Sequence, residues 1–204
     1  MGYQGSIWEK LKDMVTNNCR PAVFLDRDGV LMEEKGYITC EKDMTVFPYS
    51  CQCVHEIKEM GYLVIVVTNQ AAIGKGLLAE EILKKMNRML IKETGVDAVY
   101  YCPHHPQAVL PEYRKECKCR KPGTGLFEQA VSDFNIDLHD SYMAGDRALD
   151  ILAGKRMGVH TILLESGYGT GNLEFNVIPD YYALDLRSVC RIISGDARKE
   201  VYNG

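Results

Sequence analysis

Residues 24–30 have the sequence FLDRDGV, in which the apolar run 22–25 gives way at once to Asp26, Arg27 and Asp28. A short apolar run bounded by charged residues is typical of a buried strand. If the backbone is still extended at Asp26, residues two apart point to the same side, so that both carboxylates share one small volume and Arg27 points away. Such a pair is costly unless a cation lies between its members. We therefore expect a cation site at the end of this strand.

The segments around this stretch alternate between strands and helices. The β-branched run 62–68 (YLVIVVT) predicts a strand that is covered on both faces. Strands joined by helices need crossover connections, which predicts an α/β fold: a Rossmann-like, three-layer parallel sheet with helices on both faces. The predicted strands are 22–25, 62–68, 97–101, 142–144 and 161–164, and the predicted helices are 51–60, 79–94, 125–134 and 148–157. No element is predicted for residues 175–204.

The composition predicts one globular domain over residues 21–204, preceded by a helical extension over residues 1–20. Of the 204 residues, 46% are hydrophobic and 25% charged, which excludes a disordered or fibrous chain. No apolar run approaches the roughly 18 residues of a membrane span, and residues 1–12 do not have the pattern of a secretory signal. The net charge of −4 disfavours nucleic-acid binding. We expect a cytoplasmic protein, a monomer or weak homodimer, that binds a small molecule and neither nucleic acid nor membrane.

Three predicted strands end in polar residues. The first ends in Asp26 and Asp28, the second in Thr68 and Asn69, and the fourth in Asp146. Ligands of parallel sheets bind outside the carboxyl ends of the strands, so we expect these side chains to converge. Three carboxylate ligands suit Mg²⁺. A lone D-x-D-G sequence can simply cap a turn, but its combination with the other strand ends favours a metal site.

Four motifs carry a resemblance to a known family. FLDRDGV, VVTNQ (66–70), CRKP (119–122) and AGDRALD (144–150) resemble, in this order, the sequential motifs of the haloacid-dehalogenase-like (HAD) phosphohydrolases. The resemblance covers residues 21–164, about the whole predicted sheet. One departure is Val30, where many members carry Thr.

The resemblance implies a mechanism. Asp26 would attack phosphorus and form an aspartyl-phosphate, and Asp28 would act as general acid and then as general base. The phosphoryl group would be bound by Thr68, Asn69 and Lys121, and Mg²⁺ by Asp26, the backbone oxygen of Asp28 and Asp146, with Asp150 in support.

A receiver-type signalling domain is an alternative of a different class. Receivers also have an aspartate and a threonine at strand ends and a lysine, but they keep the phosphate on the aspartate. An acid/base group two residues beyond the nucleophile serves no purpose in such a domain. Asp28 therefore favours the hydrolase.

The cysteines predict a second metal site. Three of the eight, Cys102, Cys117 and Cys119, lie within eighteen residues of sequence that also contains His104 and His105. Three thiolates and one imidazole match a closed, tetrahedral, structural zinc site, although reduced cysteines can also lie together without a metal. The C-x-H pairing resembles the zinc loop of one HAD subgroup. It favours His104 as the fourth ligand and His105 as its neighbour.

This loop also bears on the substrate. It resembles the loop of small, essentially capless HAD phosphatases that act on a heptose 1,7-bisphosphate or on histidinol phosphate, and the long insertion between YYCPHHP and CKCRKP favours the heptose group. Lys75 beside Arg120 suits a substrate with a second phosphate, although Lys75 can equally be a solvated loop lysine. We expect removal of the 7-phosphate of a heptose 1,7-bisphosphate, with histidinol phosphate as the alternative substrate.

Overall fold

The computed structural model describes residues 19–169 and 177–196. The predicted helical extension covers residues 1–20, of which 1–18 lie outside the described part of the chain and Arg20 belongs to the first strand. The division of the chain at residue 20 therefore stays a prediction, although the first strand begins at that position.

The described residues form one parallel sheet, as the alternating pattern predicts, with six strands rather than the five predicted. Their order across the sheet is β3-β2-β1-β4-β5-β6. The first strand lies between β2 and β4, with Val23 opposite Val64 on one side and Tyr142 on the other, which explains why its last four residues are apolar and fully buried. The strands are β1 (Arg20–Leu25), β2 (Leu63–Asn69), β3 (Ala98–Cys102), β4 (Ile136–Gly145), β5 (His160–Leu164) and β6 (Tyr181–Ala183).

Helices cover both faces of the sheet, which confirms the three-layer fold. They are α1 (Ser50–Glu59), α2 (Ala71–Gly74), α3 (Glu80–Thr94), α4 (Gly125–Phe134), α5 (Ala148–Met157) and α6 (Leu186–Ile193). One core contains side chains of α1, α3 and α6 packed on the sheet, and a second core contains those of α4 and α5. Within the described residues, no helix combines the length and the apolar character that crossing a membrane requires.

The connection between β1 and α1 is a loop without an inserted domain, in agreement with the capless prediction. It contains one 3-10 turn (Glu41–Asp43) and isolated bridges that join Met32 to Asp28 and to Val46. Met32 and Ile38 pack with residues of α2 and α3 in a third apolar cluster. The loop is therefore held over the carboxyl ends of the central strands.

Four elements differ from the predictions. Strand β4 begins at Ile136 rather than at residue 142, because Arg20 and Pro21 pair with Ile136 and Asp137 before the register shifts. The strand β6 and the helix α6 were not predicted. The short helix α2 directly follows β2 and was also missed.

Candidate functional site

The carboxyl ends of β1, β2 and β4 meet around one cavity, as the strand-end argument predicts. The backbone N–H of Asp26 donates to the carbonyl of Ala144, 3.0 Å away, which joins the ends of β1 and β4. The cavity has a volume of about 130 Å³. It is lined by Asp26, Asp28, Glu34, Gly36, Tyr37, Ile38, Thr68, Asn69, Gln70, Ala71, Ala72, His105, Arg120, Lys121, Arg147, Leu149 and Asp150.

Three buried carboxylates form the floor of the site. Ligand oxygens of Asp26, Asp146 and Asp150 lie within 4.8 Å of one another. Burial, together with Asp26 and Asp150, raises the pKa of Asp146 to about 8. One oxygen of Asp146 accepts the backbone N–H of Tyr168 (2.8 Å), and its buried Oδ1 has no hydrogen-bond partner. A cluster of carboxylate oxygens with one unpartnered atom fits a hard divalent cation such as Mg²⁺.

Two glycines let the backbone approach the carboxylate of Asp146 closely. A Cβ on Gly167 would come within 1.9 Å of Asp146 Oδ2, and a Cβ on Gly29 within 2.5 Å of the same atom. Gly29 also has φ of +80°, a conformation that favours glycine. The close approach of these two loops is what encloses Asp146.

Lys121 is the cation of the site. Its ammonium lies 2.9 Å from Asp26 Oδ1 and 2.6 Å from Asp150 Oδ1, and it donates to the carbonyl of Val67 at 2.7 Å. Burial acts to lower the pKa of Lys121, but the carboxylates of Asp150 and Asp26 outweigh it and raise the pKa above its ordinary value. Lys121 is thus a charged group that bridges two acidic residues in the interior.

The side chain of Arg27 does not point away from Asp28, and this expectation was wrong. Its guanidinium folds back and donates to both oxygens of Asp28, from Nε to Oδ2 and from Nη2 to Oδ1, each at 3.1 Å. The Cβ of Arg27 starts on the opposite side of the strand from Asp28, but the long arginine side chain has enough rotatable bonds to turn back toward it. Gln70 Nε2 also donates to Asp28 Oδ2 (2.9 Å) and to Thr68 Oγ1 (3.0 Å).

Thr68 and Asn69 line the cavity at the end of β2, as predicted. The side chain of Asn69 pairs with the backbone of Lys121, accepting its N–H at 3.0 Å and donating to its carbonyl at 3.2 Å. An amide nitrogen carries two protons, so one remains for a ligand. Asn69 thereby holds the segment that contains Lys121 against the end of β2.

Of the two predicted substrate cations, Arg120 lines the cavity and Lys75 does not. Arg120 lines the cavity and donates from Nη1 to the carbonyl of His104 at 3.1 Å. The ammonium of Lys75 lies 4.6 Å from the ring centroid of Tyr37, another lining residue. Burial lowers the pKa of His105, and Arg120 and Lys75 lower it further. His105, predicted only as a neighbour of the zinc ligand, is therefore a lining residue whose imidazole is kept neutral by burial and by these two cations.

A second group of rim residues was not predicted. Arg147 donates from Nη2 to Glu34 at 2.9 Å and lies 3.9 Å from the ring centroid of Tyr168. It joins the β1–α1 loop to the end of β4. The sequence contained one hint, since Arg147 lies within the motif AGDRALD next to Asp146.

The four predicted zinc ligands also come together. Their donor atoms lie within 4.8 Å of one another, at the end of β3. Neighbouring donors are 3.0 Å apart for Cys117 and Cys119, 3.2 Å for Cys119 and Cys102, and 3.3 Å for His104 Nδ1 and Cys119. Tetrahedral ligation with Zn–S of about 2.3 Å separates sulfurs by about 3.8 Å. The neighbouring donor atoms lie 3.0–3.3 Å apart, somewhat closer than in that geometry. Three thiols and one imidazole at this spacing suit a structural zinc ion.

Comparison with known proteins agrees with these observations. Residues 118–189 match the family model described as HAD-hydrolase-like. A D-glycero-alpha-D-manno-heptose-1,7-bisphosphate 7-phosphatase from Photorhabdus laumondii is 38% identical over 164 residues, which cover 76% of this chain and 88% of that protein. A D-glycero-beta-D-manno-heptose-1,7-bisphosphate 7-phosphatase from Vibrio cholerae is 40% identical over 154 residues, covering 72% and 83%.

A solved structure shows the same similarity. The D,D-heptose 1,7-bisphosphate phosphatase from B. bronchiseptica, crystallised with magnesium and phosphate, superimposes with a TM-score of 0.74 at 26% identity. The match covers 87% of this chain and 99% of that one.

Proposed function

Since this chain belongs to the HAD-like phosphatases that include the heptose-1,7-bisphosphate 7-phosphatases, and is thus a phosphomonoester hydrolase, we propose that it removes the 7-phosphate of a heptose 1,7-bisphosphate. The observation that carries this proposal is the pairing of Asp26 with Lys121 at the floor of a cavity that also contains Asp28 and Arg120. The similarity extends over more than four-fifths of both relatives. It supports the substrate as well as the reaction type.

Asp26 is the proposed nucleophile. Its carboxylate attacks phosphorus and forms an acyl phosphate as the bond to the sugar oxygen breaks. Lys121, 2.9 Å from Asp26, stabilises the negative charge shared by the carboxylate and the phosphoryl oxygens. Thr68 and the remaining amide proton of Asn69 are the proposed hydrogen-bond donors to those oxygens.

Asp28 is the proposed general acid and base. It gives a proton to the leaving sugar oxygen, and its carboxylate then takes a proton from the water that attacks the acyl phosphate. Release of phosphate regenerates Asp26. Asp28 lies two residues beyond the nucleophile and lines the same cavity, which supports this role.

Mg²⁺ is the proposed cofactor of the carboxylate floor. Asp26, Asp146 and the backbone carbonyl of Asp28 would hold it, and Asp150 would support it through Lys121. When bound, Mg²⁺ would supply positive charge to the phosphoryl oxygens. The B. bronchiseptica relative was crystallised with magnesium, in line with this proposal.

Zinc is the proposed ligand of Cys102, His104, Cys117 and Cys119. The role would be structural, because four protein ligands leave no open position for catalysis. The loop continues directly into Arg120 and Lys121, and Arg120 donates to the carbonyl of His104. Zinc would therefore fix two cations of the cavity through the backbone.

Arg120 and Lys75 are the proposed contacts for the distal 1-phosphate. Arg120 lines the cavity, Lys75 lies against the lining residue Tyr37, and both positive charges act on the pKa of His105. Histidinol phosphate has an ammonium and an imidazole at its distal end, which two cations would repel. A bisphosphate is therefore the better match for this rim.

The test is phosphate release by the Mg²⁺-loaded protein from both anomers of heptose 1,7-bisphosphate, from histidinol phosphate and from fructose 1,6-bisphosphate. We expect the highest kcat/KM for a heptose 1,7-bisphosphate and no turnover by Asp26→Asn, with Asp133→Asn, on the exposed end of α4, as the active control. Preference for histidinol phosphate would refute the substrate. Turnover by Asp26→Asn would refute the mechanism.

A further inference from the structure

Arg27 is among the largest fully buried side chains of the described residues, and it lies beside the cavity rather than in it. Its guanidinium contacts three side chains. Besides the two oxygens of Asp28, it donates from Nη2 to Gln70 Oε1 at 3.1 Å and from Nη1 to Asn87 Oδ1 at 3.3 Å. Asn87 is a buried residue of α3. The guanidinium thus connects the end of β1, the end of β2 and a helix.

The charge of this network is balanced by Asp28 alone. Both other partners, Gln70 and Asn87, are neutral amides that accept through oxygen. Burial of a guanidinium is costly unless it is paired and its protons are bonded. Arg27 is ion-paired with Asp28 and makes four hydrogen bonds, and one of its other partners, Gln70, also donates to Asp28.

The contacts also distinguish the two oxygens of Asp28. A carboxylate offers about four lone-pair sites. Oδ2 accepts two bonds, from Arg27 Nε and Gln70 Nε2, and also lies 3.1 Å from Arg27 Nη2, whereas Oδ1 accepts one bond, from Arg27 Nη2. One lone pair of Oδ1 therefore remains, on a residue that lines the cavity. Of the two oxygens, Oδ1 is therefore the less occupied one and the better candidate to carry a transferable proton.

We propose that Arg27, fixed by Gln70 and Asn87, is a positioning residue that directs Oδ1 of Asp28 toward the leaving-group oxygen. The inference rests on the proposed role of Asp28. In the first step the Oδ1–H bond breaks and the proton moves to the sugar oxygen as the sugar O–P bond breaks and the bond from Asp26 to phosphorus forms. In the second step Oδ1 takes a proton from water as the water oxygen bonds to phosphorus and the bond from Asp26 to phosphorus breaks.

The test compares leaving groups. A sugar alkoxide needs a proton as it leaves, whereas a nitrophenolate does not, and kcat/KM reports the step in which the leaving group departs. We expect Arg27→Lys, which keeps the charge but loses the fork, to lower kcat/KM about 100-fold for the sugar phosphate and less than about 10-fold for p-nitrophenyl phosphate. Asp28→Asn should show the same selectivity, with a loss of about 10²- to 10⁴-fold on the sugar phosphate.

A second variant tests the network at a distance. Asn87→Ala removes one acceptor of Arg27 from α3 and should give the same leaving-group selectivity at about 3- to 10-fold, a fraction of the general-acid contribution. The matched control is Thr94→Val, another buried residue of α3, whose hydroxyl donates only to the carbonyl of Leu90. Circular dichroism of each variant measures the folded fraction. Thr94→Val should leave both substrates unaffected.

The outcomes separate the inference from the proposed function. Equal losses on both substrates in Arg27→Lys and Asn87→Ala, alongside a selective Asp28→Asn, would overturn the positioning role alone. A non-selective Asp28→Asn would overturn the acid/base assignment and the inference with it. Turnover by Asp26→Asn would overturn the proposed mechanism itself.

Discussion

Lys121→Met removes the only ammonium from the floor of the candidate site while nearly keeping the volume of the side chain. Two buried carboxylates, Asp26 and Asp150, pair with that ammonium, and a third, Asp146, has a ligand oxygen within 4.8 Å of theirs. In the absence of a metal, the substitution leaves them without a cation. We expect the protein to fold with a much lower free energy of unfolding.

The magnitude follows from the contacts. Removing one partner of a buried ion pair costs about 3–5 kcal/mol, because the remaining charge is uncompensated. Lys121 has two such partners, at 2.9 and 2.6 Å, but they are adjacent, so one can take up a proton instead of staying charged. We therefore expect about 3–5 kcal/mol at neutral pH rather than twice that value. The cost should shrink toward pH 5, since protonation of the carboxylates removes the uncompensated charge.

The assay is urea denaturation followed by circular dichroism, in a buffer freed of Mg²⁺ by dialysis without a chelator, so that the proposed zinc site is left intact. Lys84→Met is the matched control, since Lys84 pairs with Glu81 on the exposed side of α3 and such pairs contribute at most about 1 kcal/mol. The double variant Lys121→Met/Asp150→Asn should recover part of the lost stability but no activity. A loss in Lys121→Met as small as in the control, or no recovery in the double variant, would refute the reasoning.

Three further perturbations test the metal sites. Cys117→Ser should lose one tightly held zinc per chain by elemental analysis and lower the Tm, whereas the exposed Cys51→Ser should change neither; a stable, metal-free wild-type protein would contradict this. As the pH rises toward about 8, the apparent Kd for Mg²⁺ should decrease by up to about tenfold per pH unit. The reason is that burial and acidic neighbours raise the pKa of Asp146 to about 8, so Asp146 must release a proton on binding. A Kd that calorimetry finds independent of pH would count against this. Gly167→Ala should lower stability by about 1–3 kcal/mol and weaken Mg²⁺ binding, since its Cβ would come within 1.9 Å of Asp146 Oδ2; unchanged Mg²⁺ affinity would exclude this close contact.

The central part of the fold was predictable because its strands are buried on both faces. Strand β2 contains the continuous, largely β-branched apolar run 63–67, which is typical of a strand in a parallel sheet covered on both faces. The first half of β4 was not predictable, because three of its five residues are polar, only Ile136 is buried, and it pairs only with Arg20 and Pro21. Helix α6 carried a signal that was missed: Asp185 precedes it and accepts the backbone N–H groups of Arg187 and Ser188 as an N-cap.

The positions of the site residues along the backbone were predictable from the sequence, but the orientation of the long Arg27 side chain was not. Asp26, Asp146 and Lys121 follow strands or motifs whose position the sequence determines, and they come together as expected. Alternation along an extended chain places the Cβ of Arg27 on the opposite side from Asp28. It says nothing about where a guanidinium several bonds further on will find partners, and here those partners come from β2 and α3.

The central position of β1 has a consequence for how the protein matures. Its neighbours β2 and β4 come from widely separated parts of the chain, and Asp26 meets Lys121 and Asp146 only after both have docked. While the chain is still on the ribosome and only β1 and β2 have paired, the proposed nucleophile Asp26 lacks both Lys121 and Asp146. Contacts so distant in sequence also form slowly. Phosphatase activity measured during synthesis would therefore mark the moment at which the two halves of the sheet join, and would make the enzyme its own reporter of folding.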